Sequence, residues 1–462
     1  MKNILLTLLL ILSMSTSVLA QEDGDRIYIK MGEAKVKKSL IAVPAFLFLS
    51  SPSLAPSYKQ VGTELFNTVV NDLEISNLFT IIKQDAYLED VAKVGLTPAP
   101  GNPTGFHFDL WTKINAEFLV RGGFKIDGAT VEFEVYVYYV PQAKLVLGKK
   151  YVAKLSEVRQ TAHTFADDLM KALTGKQGIF RTKFVVGSDR AGKNWREIYV
   201  MDWDGRNITA VTSHHSVSLS PAWSPDAKTI SYTSFAYHPK LKIRNPDLFT
   251  YDIFTGKRYL VSSRLGINSG STFTPDGQSI FLTISKGSDP DIYKMSLDGD
   301  DITRVTNGPR GALNVEPSVT PDGKKIAFSS DRTGNPMIYL MDTNGTNTKR
   351  ITFAGHYNSS PSVSPDGKRL AFAGRDKGHF DIFTVNIDGT DMQRLTSAKK
   401  PDGRGADNED PSYSPDGRHI VFTSNRTGKS QIYITSVDGT NERRITVDNH
   451  NYFKARWSPY IK

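Results

Sequence analysis

A short block of residues recurs six times in the second half of this chain of 462 residues. In its clearest copy, the tetrapeptide Ser-Pro-Asp-Gly at 364–367 separates two runs of alternating apolar residues. Pro presets the φ that a type I turn requires and Gly accepts a positive φ, so the tetrapeptide predicts a tight turn between two strands. A hairpin signal, Ile-Asp-Gly at 387–389, joins two further strands. The turn prolines of the copies are Pro225, Pro275, Pro321, Pro365, Pro415 and Pro459.

The spacing of these copies, 44 to 50 residues, identifies the fold. A four-stranded unit at this period is typical of a β-propeller blade. The first unit begins at its second strand, residues 184–186, and the chain ends on an orphan first strand, residues 453–459. These fragments predict one composite blade that closes the ring and removes its open edges. We therefore expect an all-β six-bladed β-propeller closed by strands from both ends.

Residues 1–20 have the composition of a secretory signal peptide, with Lys2, an apolar core, and small residues at Val18 and Ala20 before the predicted cleavage site. The mature chain should begin at Gln21. No other apolar run approaches the length of a membrane span. The chain contains no Cys, which excludes disulfides and a lipid-anchoring Cys after the signal. An exported chain without disulfides suits a bacterial periplasm.

The segment between the signal and the propeller predicts a small α/β domain. Its strands are expected at 26–30, 41–44, 79–82, 118–124, 130–139 and 144–155, and its helices at 57–76, 110–115 and 158–173. Ser57 is a possible N-cap and Gly175 closes the last helix. The predicted organisation is a signal peptide at 1–20, an N-terminal α/β domain at 21–176 and the propeller at 177–462.

The residues favour binding over catalysis. A Gly-x-Ser-x-Gly nucleophile motif is absent and no His pair has metal-ligand spacing, so we expect no enzyme, cofactor or metal. His163 is expected to pair with Asp167 on its own helix. The net charge of +9 is interpreted as that of an ordinary solvated surface. An exported chain is not expected to bind nucleic acid.

Comparing the repeats separates blade structure from function. The Ser-Asp-Arg or Ser-Asn-Arg tripeptides at 188–190, 330–332 and 424–426 recur, so they are interpreted as structural turns. Two insertions are specific to single blades, a loop between second and third strands at 235–246 and a crossover at 397–410, and both fall on one face. The segments that enter the innermost strands ring the channel mouth on that face, where they either bind a ligand or cap strands and hold water: 218–220, 268–270, 314–316, 358–360, 408–410 and 452–454.

Residues 159–168 and 173–182 closely resemble the domain junction of the TolB family of the Tol-Pal envelope system. The resemblance extends over the whole mature chain, with departures at Ala227, where the first turn should have Gly, and at Lys183, where Arg is usual. It implies a non-catalytic periplasmic scaffold that binds the outer-membrane lipoprotein Pal through the propeller and inner-membrane TolA through the N-terminal domain. Such a protein supports envelope integrity and cell division. It is expected to be a monomer, peripheral to membranes through its partners.

The resemblance also implies which residues bind each partner. For Pal, they are the residues at matching places before the innermost strands, with others from neighbouring blades: Asn268, Gly270, Val315, Glu316, Ser359, Glu409 and Asp410. For TolA, they are the first residues of the mature chain: Gln21, Glu22, Asp23, Gly24 and Asp25. The alternative is a periplasmic propeller that binds or hydrolyses an envelope glycan or peptide. A sialidase-like enzyme would need an inward Arg triad and a Tyr nucleophile, whereas the blade arginines lie in outer loops.

Overall fold

A computed structural model describes residues 38–51, 54–239, 242–285 and 289–461. The predicted signal peptide, the strand at 26–30 and the proposed TolA segment at 21–25 lie outside the described residues. Among the residues that are described, no helix has the length and apolar character needed to cross a bilayer.

The N-terminal part is a mixed sheet in the order β3-β1-β4-β5-β6, with β2 paired to β4. β1 runs parallel to β3 and β4, whereas β4, β5 and β6 form an antiparallel meander. The strands are β1 (Ser39–Ala42), β2 (Leu47–Phe48), β3 (Phe79–Ile81), β4 (Phe118–Asp127), β5 (Thr130–Tyr139) and β6 (Lys144–Lys154).

Helices cover both faces of this sheet because alternate residues of β4 and β5 point to opposite sides. Helices α1 (Ala55–Ile75) and α3 (Val158–Thr174) pack on the face that carries Phe133. The short helix α2 (Phe108–Lys113) places Trp111 against Leu119 on the other face. The predicted N-cap at Ser57 is wrong, because Leu54 holds that position without a side-chain hydrogen bond.

The C-terminal part is a six-bladed propeller, as predicted, with four antiparallel strands in each blade. From the channel outward, blade 1 is β10 (Ser218–Trp223), β11 (Thr229–His238), β12 (Ile243–Asp252) and β13 (Arg258–Ser262). Blade 2 is β14 (Asn268–Phe273), β15 (Ser279–Ser285), β16 (Pro290–Ser296) and β17 (Ile302–Arg304). Blade 3 is β18 (Asn314–Val319), β19 (Lys325–Ser330), β20 (Met337–Asp342) and β21 (Lys349–Arg350).

The remaining blades include the composite one that closes the ring. Blade 4 is β22 (Tyr357–Val363), β23 (Arg369–Asp376), β24 (His379–Asn386) and β25 (Gln393–Arg394). Blade 5 is β26 (Asn408–Tyr413), β27 (His419–Ser424), β28 (Gln431–Ser436) and β29 (Arg443–Arg444). Blade 6 is β30 (Tyr452–Trp457), β7 (Lys183–Ser188), β8 (Glu197–Asp202) and β9 (Thr209–Ala210). β30 pairs with β7, so the predicted closure is confirmed.

Blade 1 departs from the other blades in two details. Ala227 adopts φ of +58° and its N–H donates to the carbonyl of Ser224 at 2.9 Å, so the first turn forms without glycine. The insertion at 235–246 is not the loop that was predicted. It lengthens β11 and β12 into a hairpin paired as far as His238 and Ile243.

The N-terminal part packs against one face of the propeller, at blades 5 and 6. Arg443 Nη1 donates to Asn71 Oδ1 at 2.6 Å, and His419 Nε2 lies 2.8 Å from the carbonyl of Ile75. These residues follow turns between first and second or third and fourth strands. The helices therefore lie on the face opposite the crossovers and the lengthened hairpin.

Candidate functional site

Each innermost strand is interrupted at the same place near the channel mouth. Its pairing with the second strand shifts register after the second paired residue, or after the third in blade 4, as between Val315 and Ser318 in blade 3. Such a bulge leaves one residue unpaired and re-aims its side chain. In all six blades this residue has a left-handed backbone, with φ between 51° and 62°. We call these residues the mouth ring: Ser220, Gly270, Glu316, Ser360, Asp410 and Lys454.

Four members of the mouth ring line the central cavity, which has a volume of about 390 Å³. The cavity continues along the channel to the turn prolines of blades 3 to 6, among them Pro321 and Pro459. Paired residues of the same strand precede and follow each bulged residue. The ring therefore presents its side chains from rigid positions.

An ion pair spans the mouth. Glu316 belongs to blade 3 and Lys454 to blade 6, which stand opposite each other in a ring of six, and Lys454 Nζ lies 2.6 Å from Glu316 Oε1. The side chains are 23% and 24% exposed for Lys454 and Glu316, so the pair is mostly shielded from water. The backbone N–H of Ser360 donates to the second Glu316 oxygen at 2.8 Å, and its hydroxyl donates to Asp410 Oδ1 at 3.0 Å.

The electrostatics of the pair follow from this geometry. Burial alone raises the pKa of a carboxyl group, but the Lys454 ammonium and the Ser360 N–H stabilise the ionised form and lower the pKa of Glu316 to about 2. Burial disfavours the charged Lys454 ammonium, yet the carboxylates of Glu316 and Asp410 raise its pKa. At neutral pH, two fixed and opposite charges therefore face each other across the mouth.

The structure brings most of the predicted Pal-binding residues together. Gly270 and Glu316 are neighbours in the mouth ring, since a Cβ on Gly270 would lie 3.8 Å from the Glu316 Cα. Val315 and Ser359 precede ring members and are half-buried, and Glu409 is exposed beside Asp410.

Asn268 has a different environment. It is fully buried, its amide donates to the carbonyls of Pro246 and Arg264, and its Oδ1 accepts from the hydroxyl of Ser262. As a direct contact residue Asn268 is therefore a poor candidate. Its position supports a role in holding the start of β14.

The sequence places Ser360 and Lys454 in the segments that ring the mouth, but sequence reasoning did not single them out as binding residues. Both lie at the third position of the segments that enter their innermost strands, where Glu316 also lies. Aligning the six segments residue by residue would have grouped them. The sequence of a single repeat predicts neither the left-handed backbone at this position nor the contact across the channel.

A second charged cluster joins the two parts of the molecule. His163 on α3 lies with Nδ1 at 2.7 Å from Asp72 Oδ2 of α1 and Nε2 at 3.6 Å from Asp204 of the propeller. Arg159 donates to Asp204 at 2.6 Å and pairs with Asp202. The predicted pairing of His163 with Asp167 is wrong.

Asp167 serves the domain junction instead. Its carboxylate accepts from the N–H of Phe180 and from Arg181 Nε, both at 2.9 Å. The resembling residues at 159–182 therefore build the contact between the two parts of the chain. Among the described residues, no group of three or more acidic or histidine side chains could hold a metal ion.

Family models match both parts of the chain. A model described as the TolB amino-terminal domain matches residues 27–144, and one described as the TolB beta propeller domain matches residues 170–405 and 365–462.

Individual relatives agree with these models. A protein of Desulfosudis oleivorans named "Tol-Pal system protein TolB" is 32% identical over 305 residues, which cover 66% of this chain and 65% of that protein. One of the same name from Anaeromyxobacter dehalogenans strain 2CP-1 is 31% identical over 67% of this chain and 65% of its own length. The chain thus matches just under two thirds of the length of these relatives.

A solved structure is similar over more of the chain. The crystal structure of TolB from Acinetobacter baumannii superposes with a TM-score of 0.74 and 26% identity, covering 94% of this chain and 100% of that one.

Proposed function

Because the chain belongs to the TolB family of Tol-Pal system proteins, we propose that it is a periplasmic scaffold linking outer-membrane Pal to inner-membrane TolA. As a Tol-Pal component it is an envelope-associated protein, and its relatives carry the name of a system component rather than of an enzyme. The chain is accordingly non-catalytic. Through this linkage it would support envelope integrity and cell division. The periplasmic location rests on the predicted signal peptide.

The observation that supports the Pal proposal most is the mouth ring on the face that the N-terminal helices leave uncovered. Its polar side chains come from five of the six innermost strands and are held by sheet pairing, so binding a partner there has a small ordering cost. A protruding loop of Pal would meet Glu316 and Lys454 first. Since these two already satisfy each other, the loop must supply polar groups that maintain or replace their contacts.

The TolA proposal concerns residues 21–25, outside the described residues. The segment is polar and contains Gly24, which suits an extended peptide that can add a strand to an exposed sheet edge. Its separation from the mouth ring in sequence makes the two binding functions separable by mutation.

Isothermal titration with purified Pal tests the mouth. Gly270→Arg keeps a backbone conformation that five non-glycine ring members already adopt, but places a long side chain across the mouth. We expect at least a tenfold loss of Pal affinity. Gly428→Arg is the matched control, since Gly428 has φ of +88°, nothing within 4 Å of an added Cβ, and a place in an outer hairpin of the same face. Deleting 21–25 should abolish TolA binding and leave Pal binding intact.

Other results would point elsewhere. If Gly270→Arg and wild type bind Pal equally, Pal does not use the mouth. If wild type binds peptidoglycan fragments or peptides and not Pal, the alternative of a glycan- or peptide-binding propeller is favoured. Folding of each variant is checked by circular dichroism.

A further inference from the structure

Blades 3 and 5 each bind one of their own arginine side chains in an equivalent site. We call this site the cup; it consists of two aromatic rings and an asparagine side chain. In blade 3 the guanidinium of Arg332 lies 5.2 Å and 5.0 Å from the ring centroids of Phe328 and Tyr339. Its Nη2 donates to Asn314 Oδ1 at 2.6 Å and its Nε to Ser330 Oγ at 3.1 Å. The guanidinium is thus stacked on one side and hydrogen-bonded along its edge.

Blade 5 repeats the arrangement. The guanidinium of Arg426 lies 4.2 Å from the Tyr433 centroid, its Nη2 donates to Asn408 Oδ1 at 2.8 Å, and its Nε donates to Ser424 Oγ at 2.9 Å. Arg426 also pairs with Glu442. Two aromatic rings and an asparagine oxygen therefore form a guanidinium site that recurs with the repeat.

Blade 4 keeps the cup and lacks the arginine. Asn358 pairs with Gly374 as Asn314 pairs with Ser330, and the following hairpin has the same length, so Asp376 stands at the position of Arg332 and Arg426. The rings of Phe372 and Phe383 remain stacked, with centroids 5.6 Å apart.

In blade 4 the place of the guanidinium is an open cavity, and a potential hydrogen-bond acceptor lies beside it. A cavity of about 220 Å³ lies there, and Asn358, Phe372, Gly374, Phe383 and Met392 contribute to its lining. The Asn358 amide donates to the carbonyl of Ala354 at 3.0 Å, but within the described part of the chain its Oδ1 accepts no hydrogen bond. Met392 replaces the Glu442 of blade 5 and is 42% exposed at the rim.

The arginines of blade 4 itself do not occupy the cavity. Arg375 contributes to the lining, but its guanidinium lies 5.9 Å from the centroid of the Phe380 ring, which does not line the cavity. Arg394 lies 5.6 Å from the Phe383 ring centroid, donates to Asp376 at 3.1 Å, pairs with Asp381, and does not line the cavity.

We propose that this cavity, the arginine pocket, accepts the guanidinium group of an arginine side chain from a partner protein. A planar guanidinium can stack on Phe372 and Phe383 and donate to Asn358 Oδ1, as Arg332 does within blade 3. A lysine ammonium is compact and strongly hydrated, so it cannot reproduce both contacts. The pocket lies on the face of the crossovers and the second-to-third-strand hairpins. The inference needs a partner arginine on this face and does not depend on the partner being Pal.

The charges around the pocket limit its affinity for a single side chain. Asp376 and Arg375 both contribute to the lining, so one carboxylate and one guanidinium flank the cavity. The Asp376 carboxylate is already paired with Arg394 at 3.1 Å, and the Arg375 guanidinium opposes the entry of a further cation. We therefore expect a weak but selective site, which contributes to a larger interface.

The test is a titration of the full mature protein carrying ¹³C-methyl methionine with N-acetyl-arginine methylamide, followed by NMR. The Met392 methyl resonance, assigned through its loss in Met392→Leu, should shift saturably. The lysine and citrulline analogues should bind at least tenfold more weakly. Asp376→Arg, which supplies the guanidinium from blade 4 itself, should abolish the shift. Asp402→Arg is the charge-matched control in the exposed crossover and should leave it unchanged.

Three results would overturn the proposal. One is the absence of any Met392 shift in the wild-type protein at saturating arginine amide. Another is an equal response to the lysine analogue, since that indicates charge attraction without stacking. The third is a full response in Asp376→Arg, because it places the binding site outside the cup.

Discussion

The residues of the mouth ring share one backbone conformation, whereas their side chains range from none to opposite charges. Gly270 has no side chain, Ser220 and Ser360 carry hydroxyls, and Glu316 and Lys454 carry opposite charges. The strand bulge fixes where each side chain begins, and the residue type alone decides what it presents to the channel. A ring of this kind can change its ligand without any change in fold.

Lys454 tests whether the ion pair stabilises the ring. Lys454→Met removes the ammonium and leaves the Glu316 carboxylate shielded with only its Ser360 contacts, so we expect a loss of about 1–3 kcal/mol in the free energy of unfolding at pH 7. Urea unfolding measures it. In the double variant with Glu316→Gln the loss should be smaller than the sum of the single changes.

The pH dependence of the same pair has a definite sign. The folded-state pKa of Glu316, about 2, lies below its ordinary value, so its stabilisation is complete above about pH 4.5 and is lost as the pH falls towards 2. Equal unfolding free energies for wild type and Lys454→Met at pH 7 would show that the pair contributes nothing.

At the scale of elements, the sequence predicts what repeats and misses what departs from the repeat. Six copies of one turn and strand pattern were enough to place the blades and the composite closing blade. The sequence predicts a loop where blade 1 has its lengthened hairpin, because β11 and β12 extend past the apolar core. Backbone hydrogen bonds alone pair the strands there, and they impose no residue pattern. The six bulges were missed for the same reason.

The candidate site shows the same limit. The segments that ring the mouth could be located from the strand order, and Glu316 was found through the family resemblance. The burial of Asn268 and the contact of Lys454 across the channel depend on which strands stand opposite or beside each other, which only the closed ring determines. Similarly, Asp376 becomes informative only once its place is known to hold arginine in blades 3 and 5.

At the scale of the whole molecule, the two parts are joined through a buried cluster of charges. Burial lowers the pKa of a histidine, but the Asp72 and Asp204 carboxylates outweigh it and raise the pKa of His163 to about 9. Burial raises the pKa of Asp72 to about 6, against the opposing effect of His163. Between these values both groups are charged, and Arg159 balances Asp204.

This cluster predicts a pH-dependent stability. Because the folded-state pKa of His163 is raised, its contribution is complete below about pH 6.5 and is lost as the pH rises through about 9. His163→Gln should cost about 3 kcal/mol at pH 7, since it leaves Asp72 buried without its partner. Urea unfolding at pH 7 and 9.5 should show a smaller variant-to-wild-type difference at the higher pH. His450→Gln, at a 40% exposed side chain, is the control and should follow the wild-type profile. A difference for His163→Gln that is unchanged between the two pH values would contradict the assignment.

We propose that Pal binds at the mouth ring, on the face away from the N-terminal helices. Photocrosslinking in intact cells tests it most directly, with benzoylphenylalanine placed at Ser359 beside the ring or at Lys324, an exposed turn residue of the opposite face. Mass spectrometry then identifies the captured proteins. Pal should be captured from position 359 and not from position 324. Capture of Pal from position 324 with none from position 359 would contradict it.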